Sequence, residues 1–268
     1  MPRISIGDCQ LHYERHGGGF PLVFASGLGG SADFWREEVP LFARAFDVIT
    51  YDQRGVGDSD AARMTHTIEG NAADTIALMD ALGIDKAHVI GHSTGSAVAQ
   101  VLAIEHPERL ASLVLAAGWA RQDPFLRRVY TLRRKLLTEL GPGAYVEAAT
   151  IMLYPPEWVA RNNERLRQME SQLLAGFKSD IVLSRIDALL AFDRSADLAR
   201  IKTPVLVVAA EDDFVLPSYL SEELARLIPG AEAKFFPRGG HCFMQINPRE
   251  FGQAVMPFLH QHTPVTQR

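Results

Sequence analysis

The stretch Ala87-His88-Val89-Ile90-Gly91-His92-Ser93-Thr94-Gly95-Ser96-Ala97-Val98 decides the fold. Its first four residues are a short run suited to a buried strand, and residues 96–106 carry apolar side chains at helical spacing. Between the two stands a Gly-x-Ser-x-Gly. On a strained strand-to-helix turn a serine hydroxyl is lifted clear of the backbone, and glycines two residues to either side let neighbouring chain approach. The spacing therefore marks Ser93 as a candidate nucleophile and the Thr94 N–H as a candidate oxyanion donor. His92 points elsewhere on so tight a turn and is read as structural.

Working outward, residues 22–25, 48–51 and 111–116 read as further buried strands, and residues 33–43 and 68–82 as helices. Strand alternating with helix implies a mainly parallel sheet covered on both faces. Residues 3–6 and 9–15 are patterned as an antiparallel hairpin at its edge. After Gly118 the pattern breaks: residues 119–199 show only helical stretches, interrupted by Gly141-Pro142-Gly143 and Pro155-Pro156. Strand language resumes at 204–209, then a helix (218–227), a strand (231–236) and a last helix (248–260). The expected organisation is an α/β core of residues 1–118 and 200–268 with an all-helical cap of residues 119–199.

In open α/β sheets the chemistry lies at the carboxyl ends of the strands. A serine needs a positioned base, and the base needs a carboxylate to orient it. Glu211-Asp212-Asp213 follows one late strand and Gly239-Gly240-His241 the next, so acid and histidine arrive in the order Ser, acid, His. His241 is the candidate base. Asp213 is favoured over Asp212, since adjacent residues in a turning loop point apart. The loop Ser26-Gly27-Leu28-Gly29-Gly30 follows the strand at 22–25, and its Leu28 N–H is the expected second oxyanion donor.

Composition sets the class. The 268 residues are 47% hydrophobic and 22% charged, which suits an ordinary globular protein and excludes disordered, collagen-like and coiled-coil readings. With net charge -5 and its 27 basic residues scattered, the chain lacks a nucleic-acid footprint. Two cysteines, Cys9 and Cys242, and no leader-like or membrane-spanning run point to a cytoplasmic protein. His12 and His16 are four apart, but in a strand-like stretch, so no metal is expected; nor is any cofactor. The expected partner is a small-molecule substrate, with neither nucleic acid nor membrane, and with monomer and homodimer both open.

With these residues assembled, nearly the whole chain resembles an α/β-hydrolase. Gly27-Leu28-Gly29-Gly30-Ser31 with Trp35, Tyr51-Asp52-Gln53-Arg54-Gly55, Gly118-Trp119, Leu153-Tyr154-Pro155 with Trp158, Asp212-Asp213 with Pro217, and Gly239-Gly240-His241 are similar to the aminoacrylate (carbamate) hydrolases of bacterial pyrimidine degradation. The resemblance implies a cofactor-free serine hydrolase acting through an acyl-enzyme on a small C–N, ester or lactone bond, with Trp119 near the substrate. Enol-lactone hydrolases and carboxylesterases are the next resemblance; acyl transfer to alcohol or peroxide, and a non-catalytic receptor on the same fold, are the other readings. Ser26 departs from the wider superfamily, which usually has a histidine there.

The cap carries one further signal. On residues 121–140 the apolar positions Phe125, Leu126, Val129, Tyr130, Leu132, Leu136, Leu137 and Leu140 share an arc, and Arg133 lies within it. Arg185 sits likewise between Ile181, Val182, Ile186 and Leu189. A buried arginine needs a partner. The bland expectation is an internal ion pair with a core Asp or Glu; the sharper one is that Arg133 and Arg185 hold a substrate carboxylate, which fits an aminoacrylate anion.

Overall fold

The apolar runs become strands that alternate their side chains between two separate cores. In the computed structural model, which describes residues 2–60 and 65–264, the eight strands are β1 (Arg3–Ser5), β2 (Gln10–Gly17), β3 (Phe20–Ala25), β4 (Phe46–Tyr51), β5 (Ala87–His92), β6 (Leu110–Ala116), β7 (Val205–Ala210) and β8 (Glu232–Phe236). They form one sheet in the order β1-β2-β4-β3-β5-β6-β7-β8, antiparallel from β1 to β4 and parallel from there on. Val23, Ile49, Val89, Leu113 and Val207 enter one core; Leu22, Val48, Ile90, Val114 and Leu206 enter the other. That split is the two-residue strand period with both faces covered.

The helices are α1 (Val39–Phe42), α2 (Ile68–Ala81), α3 (Thr94–Glu105), α4 (Pro124–Lys135), α5 (Gly141–Leu153), α6 (Pro156–Arg161), α7 (Asn163–Ala175), α8 (Ser179–Ala191), α9 (Ser218–Leu227), α10 (Phe243–Ile246) and α11 (Pro248–Gln261). Residue 1 and residues 265–268, included in the expected core bounds, lie outside the described residues, as do residues 61–64. The helix expected at 33–43 is instead a 3-10 turn, Ala32–Trp35, and the four-residue α1. The Asp52 carboxylate takes the Ala32 N–H at 2.8 Å, which pins the first turn to the sheet and sends Trp35 into the core.

Helices α4 to α8 follow β6 and precede β7. The segment leaves and returns through a bridge between Arg121 and Asp193. Further bonds fasten it to the core: His66 N–H to the Ser184 hydroxyl at 2.9 Å, and Lys178 to the Gly55 carbonyl at 3.0 Å. The buried face of this first cap helix is narrower than the sequence arc. Leu126, Val129, Tyr130, Arg133 and Leu137 are buried, whereas Leu132 and Leu140 are 48% and 69% exposed. Leu132 falls on the rim of the arc, and a π-helical turn at Leu136–Leu140 rotates Leu140 off it.

Candidate active site

Ser93 occupies a strained turn between β5 and α3, with φ 55° and ψ -120°. A non-glycine residue in that region costs of the order of 1–3 kcal/mol and persists only when its surroundings hold it. They do: the Ser93 N–H donates to the Ala116 carbonyl at 2.9 Å, and a Cβ on Gly91 or Gly95 would collide with the Gly95 or Ala25 carbonyl respectively. The turn exists because glycine stands at both positions.

The loops after β7 and β8 bring two residues to the same end of the sheet. Asp213 Oδ2 lies 2.7 Å from His241 Nδ1, while Asp213 Oδ1 accepts the N–H groups of Val215 and Leu216 at 2.8 and 2.9 Å. A carboxylate only accepts, so Nδ1 carries the proton and the lone pair is left on Nε2. Asp212 points away and accepts the Gly240 N–H at 2.8 Å. His92 stacks on Phe34 and meets the His241 carbonyl through Nε2 at 2.9 Å. Burial, then the neighbouring His241, hold its pKa well below the ordinary histidine value, which suits a structural neutral imidazole.

At the position of the superfamily's histidine, the Ser26 hydroxyl donates to the Ser31 carbonyl at 2.7 Å and accepts the Trp35 indole N–H at 3.0 Å. The loop is thereby braced without an imidazole. Gly27 lies against the elbow: a Cβ there would come within 3.1 Å of Ser93 Cβ. Among the described residues the N–H groups of Leu28 and Thr94 have no hydrogen-bond acceptor within the protein.

Helices α4, α5 and α8 add further side chains to this group. Burial pushes the pKa of the Tyr130 phenol up to about 12. The Arg133 guanidinium lies 5.2 and 4.9 Å from the ring centroids of Tyr130 and Tyr145, and its Nη2 donates to the Tyr145 hydroxyl at 2.8 Å. Arg185 donates through Nη2 to the Gly27 carbonyl at 3.2 Å and to Gln53 Oε1. Both arginines are buried, and among the described residues neither has a carboxylate partner. The expected ion pair is therefore absent: neutral phenols and carbonyls face these charges instead. Among the described residues, Arg133 Nε and Arg185 Nε and Nη1 have no acceptor. Burial brings the Arg185 pKa down to about 10, so it is still charged at neutral pH.

Trp119 stands apart from this group in its bonding. It packs against Phe192, is wholly buried, and has no hydrogen bond to Ser93 or either arginine. Three residues that the sequence reading passed over join the site: Tyr130, Tyr145 and Gln53. Tyr130 lies on the same helical arc as Arg133, and Gln53 follows the end of β4, where the strand-end rule directs attention; Tyr145 carries no such signal.

Comparison with known proteins agrees with this fold. The family model for the alpha/beta hydrolase fold matches residues 21–248. A Caulobacter vibrioides protein described as carbamate hydrolase RutD is 42% identical over 266 residues, covering 97% of this chain and 99% of that one. Among solved structures, the enol-lactonase from Burkholderia xenovorans LB400 superposes with a TM-score of 0.89 at 26% identity, over 97% of this chain and 100% of that one. A thermophilic esterase from Thermogutta terrifontis with malate bound gives 0.86 at 25% identity, over 98% and 99% of the two chains.

Proposed function

The chain belongs to the α/β-hydrolase fold family, and from that premise we propose that Ser93, His241 and Asp213 act as a triad on a small carboxylate-bearing substrate with a C–N, ester or lactone bond. His241 Nε2 takes the Ser93 proton as Oγ attacks the carbonyl carbon. The negative oxygen that results is met by the free N–H groups of Leu28 and Thr94. His241 returns the proton to the departing nitrogen or oxygen, leaving an acyl-serine. Water, deprotonated by His241, then releases the acid and restores the hydroxyl. Asp213 keeps the imidazole in the tautomer this requires.

The observation that carries the substrate reading is the pair of buried guanidiniums with open N–H groups and no carboxylate. A charge left in that state costs several kcal/mol unless a ligand anion completes it. The fold neighbour with bound malate, a small carboxylate, agrees with this. The name of the Caulobacter relative favours a carbamate-like C–N bond over the lactone of the Burkholderia one, on identity.

Ser93→Ala is expected to abolish both turnover and labelling by a fluorophosphonate; labelling at full rate would overturn the nucleophile. Arg133→Met is expected to raise KM for a carboxylate-bearing ester about 10- to 100-fold, the worth of one charged hydrogen-bonded contact, and to change KM for its neutral analogue little. Equal losses on both esters with a lowered melting temperature would make Arg133 structural and remove the carboxylate from the proposal.

A further inference from the structure

Gln53 takes no part in the steps above, yet it touches the loop that carries the Leu28 N–H at both ends. Its own N–H donates to the Gly30 carbonyl at 2.8 Å, and its side-chain Nε2 donates to the Ser26 carbonyl at 2.8 Å. Its other side-chain polar atom, Oε1, accepts from Arg185 Nη2, and that same nitrogen donates to the Gly27 carbonyl at 3.2 Å. The second lone pair of Gly27 is filled by the Gly30 N–H at 3.0 Å, closing a tight turn.

A trans peptide is flat, with its C=O and N–H pointing in opposite directions. Whatever grips the Gly27 carbonyl therefore aims the Leu28 N–H, which belongs to the same peptide, the other way. Gly27 itself lies on Ser93. We infer that Gln53 and Arg185 are positioning residues that hold the Gly27–Leu28 peptide with its N–H turned toward the oxyanion on Ser93, so that a side chain from the cap completes the oxyanion hole of the core. This rests on the reading of Ser93 as nucleophile and Leu28 as donor. It is separate from the carboxylate reading, because Nη2 is committed to the loop while Nε and Nη1 of Arg185 stay open.

The choice of glutamine follows from the same chemistry. A carboxylate at position 53 could accept from Arg185 but could not donate to the Ser26 carbonyl, so the loop would lose one of its holds. Methionine at 53 removes both side-chain bonds at similar volume. Lysine at 185 keeps the charge but replaces the planar fork with a single point donor.

The test uses a small neutral p-nitrophenyl ester and a boronic acid whose tetrahedral adduct on Ser93 mimics the oxyanion. In Gln53→Met and in Arg185→Lys, kcat on the neutral ester is expected to fall about 10- to 100-fold with KM within about twofold, somewhat less than the loss of a whole oxyanion donor. The boronate inhibition constant should rise by a matching factor. Unchanged kcat in both variants overturns the inference, as does a fall in kcat with boronate affinity intact. If Gln53→Met fails to fold, Arg185→Lys decides by the same two readouts. A wild type that shows no preference for anionic over neutral esters removes the carboxylate reading alone, since the loop is tested on the neutral ester.

Discussion

Glu38 is fully buried, and neither of its side-chain oxygens has a partner among the described residues. Burial pushes its pKa from 4.5 up to about 8, helped by Glu37 and opposed by its own backbone N–H. A folded pKa above the unfolded one means full stability below about pH 4.5, progressively lost as pH rises toward 8, because only the unfolded chain ionises freely in that interval. Glu38→Gln should thus be near neutral at pH 4.5 and stabilising by roughly 4 kcal/mol at pH 8. Urea melts at the two values check this; a difference that does not change with pH would show the carboxyl to be solvated. At this scale the sequence was most readable where chemistry constrains both identity and place. Ser93 and His241 are such positions, and the separation of Asp213 from Asp212 follows from a turn whose neighbouring side chains diverge. Glu38 was overlooked, although on the helix expected at 33–43 it falls in the arc of Phe34, Trp35, Val39, Leu41 and Phe42, as Arg133 does on its own helix.

Among the elements, α4 shows how a local signal carries a remote function. Asp123 caps it, accepting the Leu126 N–H at 2.7 Å, and Pro124 opens its first turn. The other oxygen of Asp123 accepts the Tyr219 hydroxyl at 2.5 Å, tying the helix to α9 of the core. Asp123→Ala is expected to lower stability by about 1 kcal/mol. Since α4 also carries Tyr130 and Arg133, KM should rise for anionic substrates; thermal melts and steady-state kinetics on one preparation check both, and an unchanged melt would discount the cap. Helix periodicity placed Arg133 in the centre of the buried face, whereas the fate of Leu140 depended on a π-turn that periodicity does not encode. The segment at 33–43 is not one helix because Pro40, which has no N–H to continue a preceding turn, stands in the first turn of α1 and ends the 3-10 turn before it.

For the whole molecule, alternation of strands and helices was enough to give the class of sheet, with its edge hairpin, but not the placement of β3 between β4 and β5. That order comes from crossovers that must run right-handed over a twisted sheet. The candidate site draws on the loops after β3, β4, β5, β7 and β8 and on helices α4, α5 and α8, so it exists only in the finished fold. A chain of net charge -5 that buries two arginines without carboxylates should be stabilised by a small dianion. Malonate is expected to raise the melting temperature saturably, with about 2.7 kcal/mol gained at a hundredfold excess over Kd, and to do so far less in Arg133→Met. Sodium chloride at matched ionic strength is the control; an equal effect would reduce the malonate result to screening. The path of the chain has a consequence for ancestry and engineering. Because β6 and β7 are hydrogen-bonded neighbours although α4 to α8 intervene between them, the sheet closes without the helices, and one roof can be exchanged for another without rethreading a strand. A transplanted roof brings its own specificity, but one that arrives without an arginine at the place of Arg185 leaves the Gly27 carbonyl with the Gly30 N–H as its one remaining donor among the described residues, so shuffling roofs is expected to alter rate together with selectivity.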